Sequence, residues 1–472
     1  MNAKYIQEPL YQEIPYLEVN QLFSHIAHEE WAMLLDSANY KQTFQDTNCF
    51  SYIVFSPFKT LTVKNGVLLE DNTQINDPFL LLKHYLQSFK MQKIAGLPPF
   101  QGGLAGYFAY DLCHYIEKIP FAHMDDMNFP DLAVAFYDIV ISFDHVNKKS
   151  WVISTGLPEK DNLLRQQRAK ERLEEIIMWV QNSAKALPVD KPNNNFAAHI
   201  SSNFNCEGYI NNVSCAKNYI HQGDIFEVNL SQRFKAKLPV HLTPYQLYQR
   251  LCHLNPAPFA AYINLGEIVI ASASPERFLS LKDGMVVTRP IKGTAPRGQN
   301  AEDDRKLGDD LFNSIKDRAE NVMIVDLMRN DLSRVCEKDS VEVTTLCGLE
   351  SYPTVHHLVS VIKGKLKNHM DVIDLLKATL PGGSITGAPK IRAMEIIAEL
   401  EPNRRGPYCG SIGFISFSGD MDTSIIIRTY AIHRDVVTYQ VGGAVVLDSD
   451  PMKEYQETLT KGKALRLALL GE

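Results

Sequence analysis

What the sequence lacks limits the classes of protein that it can encode. Its eight cysteines contain no Cys-x-x-Cys pair, so we expect neither a zinc cluster nor a disulfide framework, and a reducing compartment is indicated. The formal net charge of −7 does not favour the basic face that bulk binding of nucleic acid requires. Residues 1–8 contain no apolar core of a secretory signal. We therefore expect a cytoplasmic protein that binds no nucleic acid.

Long hydrophobic runs are also missing. The longest apolar stretch, residues 132–143, is short and is interrupted by Asp138, so we expect no membrane-spanning segment. Hydrophobic residues make up 45% and charged residues 22% of the 472-residue chain. This composition is typical of a soluble globular protein with a substantial core.

The polar, Pro- and Asn-rich stretch at residues 186–204 is the best candidate for a linker. It divides the chain into an N-terminal segment, residues 1–185, and a C-terminal segment, residues 205–472. Patterning predicts a strand at 133–143 in the first segment. In the second it predicts helices at 206–222, 243–252 and 315–332, strands at 225–234, 259–264, 267–273 and 277–281, and an antiparallel meander at 409–447.

Lys292 follows a β-branched run, Val286–Thr288, that leads into a turn containing proline and glycine. We expect this lysine at the junction of a strand and a loop. Apolar neighbours and the nearby cations Arg289 and Arg297 disfavour a charged amine, which predicts a lowered pKa and a nucleophilic lysine. An ordinary surface lysine in a turn is the alternative.

Acidic side chains recur at helical spacing near the end of the chain. The pair Asp450–Pro451 is typical of a helix start, and Glu454, Glu457 and Lys461 follow on one face. That face continues into apolar residues, so we expect it to point to the core, where carboxylates must be paired or bind a metal. Together with Glu320 on an earlier predicted helix, these acids are candidates for a Mg²⁺ site. A solvated carboxylate is the alternative for Glu320.

A glycine-rich loop and several single residues suggest an anionic ligand. The loop Pro381–Lys390 opens a predicted helix, whose N-terminus can bind an anion, although a structural turn explains its glycines equally well. Arg428 lies within an apolar predicted strand and should have an anionic partner. Taken alone, His357 and Tyr408 are explained by core packing and by a turn. Together these features suit a small polycarboxylate substrate.

The order of these motifs carries a family resemblance. Residues 205–470 resemble the chorismate-utilising enzymes, which include anthranilate synthase, aminodeoxychorismate synthase and isochorismate synthase, and residues 17–155 resemble the N-terminal segment of that family more loosely. The matching stretches are Gly223–Arg233, Ser274–Phe278, the Lys292 loop, Asp317–Asp331, Pro381–Lys390, Arg404–Gly413 and Glu454–Lys461. The resemblance implies an α/β (α+β) fold with two large, mainly antiparallel sheets packed as a sandwich and helices outside.

The resemblance also implies a reaction. Anthranilate synthases typically carry Ile-Ala-Gly-Thr in the loop, whereas Pro-Ile-Lys-Gly-Thr around Lys292 resembles the aminodeoxychorismate synthase branch. Lys292 would then add at ring carbon 2 of chorismate as the 4-hydroxyl leaves, with Glu276 as general acid or base, and ammonia would enter at carbon 4. The product would lead to p-aminobenzoate and folate. Anthranilate synthase component I and a catalytically silent tryptophan-binding relative are the alternatives.

Further site residues are implied by the same resemblance. Glu320 and Glu457 would hold Mg²⁺, and Glu454 and Lys461 would complete the acid–base groups. Substrate contacts would come from Arg428, Tyr408, Ser384, His357, Gly442, Gly443 and Glu227.

Two positions differ from the pattern of the relatives. Glu227 stands where aminating relatives usually carry glutamine and isochorismate synthases carry lysine, and its charge would orient or hold an ammonium ion. Ala444 stands where relatives often have a third glycine.

Two further expectations concern regulation and partners. Leu35, Asp36 and Ser37 resemble a stretch that lines a tryptophan pocket in relatives, where the site could be regulatory, structural or empty. The sequence contains no nucleophile-elbow cysteine with a downstream His-x-Glu pair. Either the enzyme uses free ammonia or a separate glutamine amidotransferase subunit supplies it, and the family resemblance implies the separate subunit.

Overall fold

The computed structural model describes residues 8–37, 49–183, 199–352 and 355–471. Residues 186–198 of the predicted linker lie outside these ranges. Up to residue 183 the strands are β1 (Leu10–Ile14), β2 (Met33–Asp36), β3 (Phe50–Val54), β4 (Lys59–Lys64), β5 (Val67–Leu68), β6 (Thr73–Gln74), β7 (Gly103–Phe108), β8 (Leu132–Tyr137), β9 (Ile139–Asp144) and β10 (Lys149–Ser154).

The C-terminal segment supplies the remaining strands. They are β11 (Ser201–Ser202), β12 (Glu227–Lys237), β13 (Phe259–Asn264), β14 (Ile268–Ser274), β15 (Arg277–Lys282), β16 (Met285–Thr288), β17 (Ile291–Pro296), β18 (Glu342–Ser351), β19 (Val355–Lys365), β20 (Gly387–Ala388), β21 (Ser411–Ser416), β22 (Met421–Ile425), β23 (Thr429–His433) and β24 (Val436–Val445).

The helices begin at residues that satisfy their free N–H groups. Asn205, Thr243 and Asp450, for example, cap three of the C-terminal helices with side-chain oxygens. The helices are α1 (Val19–Ser24), α2 (Pro78–Ser88), α3 (Asn162–Ser183), α4 (Cys206–Gln222), α5 (Pro244–Leu254), α6 (Ala301–Phe312), α7 (Ile315–Ser333), α8 (Val372–Thr379), α9 (Lys390–Leu400) and α10 (Pro451–Leu470).

The strands form two large antiparallel sheets. The first has the order β1-β10-β9-β3-β2-β13-β14-β23-β24-β12-β11, with β20 also paired to β12. The second has the order β17-β19-β16-β15-β22-β21-β7-β8-β4-β5-β6, with β18 also paired to β19. Strands from before and after the predicted linker lie in both sheets, and the predicted fold is confirmed.

The two sheets pack face to face. Tyr52 and Ile263 from the first sheet share a buried cluster with Tyr107 and Phe414 from the second, and the rings of Tyr52 and Phe414 are 5.3 Å apart. Helices α1, α3, α5 and α10 cover the first sheet, and α2, α7 and α8 pack in the cluster behind the second. This arrangement buries apolar side chains on both faces of each sheet.

Two sequence predictions about strands are wrong. The single strand expected at 133–143 is two strands, because the chain passes at Asp138 from β8 in the second sheet to β9 in the first. Asp138 is ion-paired there with Arg168 at 3.1 Å and Arg172 at 3.5 Å. Lys292 lies within β17 and not at the junction of a strand and a loop, since the chain resumes an extended conformation at Ile291.

The described helices give no sign of a membrane segment. None of them combines the length and the apolar composition needed to cross a bilayer.

Candidate active site

The predicted site residues come from several elements that converge at the ends of β12, β17 and β24. Glu227 is the first residue of β12, and Lys292 is the second residue of β17. Glu276 lies between β14 and β15, and Ser384 lies in a 3-10 turn before β20. Helices α7 and α10 supply Glu320 and the acidic residues near the C-terminus.

Lys292 and Glu227 form a buried ion pair. Lys292 Nζ donates to Glu227 Oε1 at 2.6 Å, and the two residues are 8% and 0% exposed. Burial on its own lowers the pKa of Lys292, but the negative charges of Glu227, Glu320 and Glu276 outweigh it and raise the pKa above its usual value.

The predicted lowered pKa of Lys292 is therefore wrong. The prediction counted Arg289 and Arg297 as nearby positive charges, but each is ion-paired. Arg289 pairs with Glu350 at 2.5 Å and Arg297 with Asp304 at 2.7 Å. Paired cations have little effect on the lysine, and the acids that surround it come from distant parts of the sequence.

Glu276 and Ser384 form a second buried pair. Ser384 Oγ donates to Glu276 Oε1 at 2.6 Å. Burial raises the pKa of Glu276 to about 7, against the opposing effect of this hydrogen bond. A carboxyl group that holds a proton near neutral pH can act as a general acid.

Helices α7 and α10 contribute four more charged residues to the site, which form two ion pairs. Burial raises the pKa of Glu320 to about 7, against the opposing charges of Lys292 and Lys316, and Lys316 Nζ lies 3.8 Å from its carboxylate. Glu457 pairs with Lys461 at 2.6 Å, and its side chain is 48% exposed.

Of the three charged residues on that face of α10, Glu454 alone is buried. It accepts a hydrogen bond from Ser449 Oγ at 2.6 Å, and its Oε2 has no hydrogen-bond partner among the described residues. The prediction that the whole acidic face of α10 points to the core is wrong for Glu457 and Lys461, because the side chains of both are partly exposed.

Gly442 and Gly443 bring the backbone of β24 close to these acids. The carbonyl of Gly442 accepts a hydrogen bond from Lys461 Nζ at 3.0 Å. A Cβ added to Gly443 would lie 3.3 Å from Glu454 Oε2 and 3.4 Å from Glu457 Oε1. Glycine therefore leaves space for the carboxylates beside the strand.

Arg428 lies in the connection between β22 and β23, with φ of 54°, and not within a strand as predicted. It donates to the carbonyl of Lys461, and no ion pair links it to a carboxylate among the described residues. The expected protein anion is therefore not found. Burial lowers the pKa of Arg428 from its very high ordinary value. Because no carboxylate in the described part of the chain neutralises this guanidinium, its positive charge is available to an anionic ligand.

His357 and Tyr408 lie near Arg428. Burial and the charge of Arg428 lower the pKa of His357 to about 4, so this imidazole is neutral, and its Nδ1 is hydrogen-bonded with Thr294 Oγ1 at 2.9 Å. The Tyr408 ring lies 5.7 Å from the guanidinium of Arg405. His357, Tyr408 and Arg428 therefore provide polar groups that lie close to one another.

Leu35, Asp36 and Ser37 do not lie at the site around Lys292. Leu35 and Asp36 line a small cavity between the sheets, together with Phe259 and Phe414. Asp36 Oδ1 accepts from Ser51 Oγ at 2.8 Å, and Ser37 Oγ donates to the Phe50 carbonyl at 2.9 Å.

The sequence analysis missed Lys316. It lies one helical turn before Glu320 on α7, and its charge also acts on Glu454 and Glu457. The i, i+4 spacing of Lys316 and Glu320 predicts their ion pair. It does not predict contact with α10, which is more than a hundred residues away in the sequence.

The carboxylates of Glu320 and Glu457 suit a hard divalent cation such as Mg²⁺. No group of three or more His, Cys, Asp or Glu in the described ranges is arranged to hold a metal by itself. Mg²⁺ is usually bound by one or two carboxylates, with water and substrate oxygens completing its shell. Glu320, whose ion pair with Lys316 is long at 3.8 Å, and the partly exposed Glu457 are compatible with that donor set.

Comparisons with known proteins identify relatives of this chain. The chain is 41% identical over 446 residues to aminodeoxychorismate synthase component 1 of Salmonella typhimurium, with 93% of each chain covered. It is 38% identical over 424 residues to anthranilate synthase component 1 of Thermus thermophilus, with 89% of each covered.

The fold is also shared with a solved relative. The crystal structure of anthranilate synthase component I from Streptococcus pneumoniae matches with a TM-score of 0.76 and 34% identity, over 89% of this chain and 92% of that chain. The model of the chorismate binding enzymes matches residues 32–466. The chain therefore belongs to the chorismate binding enzyme family.

Proposed function

We propose that this chain is the aminating component of an aminodeoxychorismate synthase, which converts chorismate and ammonia to 4-amino-4-deoxychorismate for p-aminobenzoate and folate synthesis. The observation that carries the proposal is the buried primary amine of Lys292, which lies among carboxyl groups in the pocket. Relatives with similar identity are called anthranilate synthase component 1, so overall similarity alone does not choose between the two reactions. The amine favours a covalent route, because a lysine that has given up its proton is a nucleophile.

In the first half of the reaction Lys292 attacks ring carbon 2 of chorismate. The 4-hydroxyl leaves as water after accepting a proton from Glu276, whose pKa of about 7 suits a general acid at neutral pH. Ser384 orients the Glu276 carboxyl through its 2.6 Å hydrogen bond.

In the second half ammonia attacks ring carbon 4 and expels the lysine from carbon 2. The new ammonium group returns a proton to Glu276, which restores the acid for the next turnover. Two successive displacements place the amine on the carbon that lost the hydroxyl.

The two carboxylates of the substrate require positive charge and N–H donors. Arg428 has no carboxylate of its own among the described residues, and with Tyr408 and the backbone of Gly442 and Gly443 it would bind the enolpyruvyl carboxylate. His357, neutral and close to Arg428, would line this part of the pocket. Ser384 would help to hold the ring carboxylate.

Glu320 and Glu457 would hold Mg²⁺, with Glu454 and Lys461 beside them. When bound, the ion would neutralise the ring carboxylate and withdraw electrons from the ring, which favours loss of the hydroxyl. Without it, the pocket would bring a substrate carboxylate close to several acids.

The relatives are called component 1, and this name implies a second component. We propose a separate glutamine amidotransferase as the source of ammonia, acting with this chain in the cytoplasm. The cavity beside Leu35, Asp36 and Ser37 is a candidate for tryptophan, and binding there would not by itself distinguish an active enzyme from a silent relative.

The test is to incubate the purified chain with chorismate, Mg²⁺ and ammonium at mildly alkaline pH and to separate the products. We expect 4-amino-4-deoxychorismate, which an added lyase converts to p-aminobenzoate. Anthranilate as the product would identify the alternative enzyme. Tryptophan-dependent thermal stabilisation without turnover, even after addition of an amidotransferase, would identify a silent binding protein.

A further inference from the structure

The buried pair of Lys292 and Glu227 poses a chemical problem. The surrounding carboxylates keep the lysine protonated, and a protonated amine cannot attack carbon. Glu227 is fully buried and Lys292 nearly so, so direct exchange of the proton with bulk water is hindered. The lysine therefore needs a proton acceptor inside the site.

Glu227 is the acid in contact with the amine. In the described part of the chain, Lys292 Nζ has no hydrogen-bond partner other than Glu227 Oε1, at 2.6 Å. Glu276 is engaged with Ser384 and, with a pKa of about 7, keeps its own proton for the departing hydroxyl.

The remaining charged groups face Lys292 from the helices without touching it. Glu320 on α7 contributes negative charge and has Lys316 as its cation. On α10, Glu457 is engaged with Lys461. None of these groups replaces Glu227 as a direct acceptor.

The second carboxylate oxygen of Glu227 favours transfer of the proton from Lys292 to this residue. Oε2 is buried and has no hydrogen-bond partner among the described residues, and the nearest other donor to Oε1, Asn229 Nδ2, is 3.5 Å away. A buried carboxylate with an unpaired oxygen is costly, and its neutral form is much less so. Protonation of Glu227 therefore relieves part of this cost at the moment when Lys292 loses its charge.

We propose that Glu227 is the catalytic base that takes the proton from Lys292 and holds it while Lys292 is bonded to the substrate. This role rests on the proposed covalent mechanism. The neutral amine attacks carbon 2 and becomes a secondary ammonium as water leaves. When ammonia expels it, the lysine departs as a neutral amine and regains its proton from Glu227. The net reaction consumes one chorismate and one ammonia and releases one water.

This arrangement has a distinctive pH dependence. The resting and the reactive forms of the pair contain the same single proton, so forming the neutral amine requires no loss of a proton to solvent. With glutamine at position 227 the reactive form has one proton fewer than the resting form. Its rate must then rise about tenfold per pH unit up to the pKa of Lys292.

The test measures how fast chorismate becomes attached to the enzyme without ammonia, by rapid quenching and intact-protein mass spectrometry from about pH 6 to about pH 9. Glu227→Gln is the isosteric variant and Glu227→Asp keeps a carboxylate. We expect the ratio of the wild-type rate to the Glu227→Gln rate to fall about tenfold per pH unit. The ratio for Glu227→Asp should stay constant. Titration of Glu276 affects all three proteins and cancels in the ratios.

The outcomes separate this role from the proposed function. If the wild type forms the adduct and the ratio for Glu227→Gln does not change with pH, the role of Glu227 is overturned and the lysine mechanism stands. If Glu227→Gln does not fold, a wild-type rate that rises tenfold per pH unit below pH 7 overturns the role, whereas a flat one together with a constant Glu227→Asp ratio supports it. If the wild type forms neither adduct nor 4-amino-4-deoxychorismate, the proposed function fails, and this role fails with it.

Discussion

Ser384 Oγ donates a 2.6 Å hydrogen bond to Glu276 Oε1, which joins the glycine-rich loop to the turn between β14 and β15. The bond stabilises the ionised carboxylate, whereas burial raises the pKa of Glu276 to about 7. The balance between the two effects sets the pH above which Glu276 no longer carries the proton for the leaving hydroxyl.

Replacing Ser384 with alanine should therefore move the alkaline limb of the pH–rate profile. Without the donor the pKa of Glu276 rises, and the acid keeps its proton to higher pH. A hydrogen bond contributes about 1 kcal/mol, so we expect an upward shift of up to about one pH unit. The measurement is kcat/KM for chorismate against pH, with Ser418→Ala, in the turn after β21, as the control. An unmoved or lowered limb in Ser384→Ala would show that this bond does not set the pKa.

Arg428→Met should impair substrate binding without loss of stability. Arg428 forms no ion pair among the described residues, so its removal leaves no protein carboxylate unpaired. Loss of a charge-assisted contact with the substrate should raise KM for chorismate by about 10- to 100-fold.

Arg405→Met is the matched control. Arg405 is a buried arginine paired with Glu401 at 2.8 Å, and its loss leaves that carboxylate buried and unpaired. We expect the free energy of unfolding to fall by about 3–5 kcal/mol. Denaturant unfolding and steady-state kinetics of both variants check the pair of predictions. Equal loss of stability in the two variants would mean that Arg428 is a structural residue.

Gly103→Ala should destabilise the second sheet. Gly103 in β7 pairs with Ser416 in β21, and an added Cβ would overlap the backbone of Ile415. We expect a loss of about 2–3 kcal/mol, measured by denaturant unfolding. Gly223→Ala provides the comparison, because that glycine ends α4 with φ of 84° and its added Cβ would meet nothing within 4 Å. Its cost is conformational, about 1 kcal/mol. A smaller loss for Gly103→Ala than for Gly223→Ala would contradict the close approach of the strands.

Lys292→Ala should abolish formation of 4-amino-4-deoxychorismate while chorismate still binds. The pocket retains Arg428 and the acids that would hold the metal ion, but it has no nucleophile. Product chromatography and isothermal titration with chorismate measure the two properties separately. Normal turnover by Lys292→Ala would remove the covalent mechanism.

Local patterns in the sequence predicted much of the fold. Helices α4, α5 and α7 have the predicted bounds or nearly so. Gly223, at the end of α4, adopts the left-handed conformation typical of a helix C-terminus. The division at Asp138 was not predictable from the same patterns. Residues on both sides of Asp138 are buried, and a continuous apolar run does not reveal that its halves belong to different sheets.

The environment of the site was harder to predict from local sequence patterns than the fold. The motif resemblance singled out Lys292 and Glu227, which the structure brings together. The positive charges near Lys292 in the sequence predicted a lowered pKa for this lysine, whereas its pKa is raised. Glu227 and Glu276, which help to raise the pKa of Lys292, come from β12 and from the turn between β14 and β15. The cations nearest to Lys292 in the sequence are paired with other acids. Electrostatic environment depends on tertiary contacts that spacing along the chain does not contain.

Attachment of the substrate to Lys292 in the absence of ammonia tests the central claim most directly. The enzyme would be mixed with chorismate and Mg²⁺, quenched within its turnover time, digested and analysed by peptide mass spectrometry. We predict that the peptide containing Lys292 gains the mass of chorismate less one water, and that adding ammonium before the quench removes the gain as 4-amino-4-deoxychorismate appears. An unmodified Lys292 in a preparation that forms this product with ammonium would contradict the account.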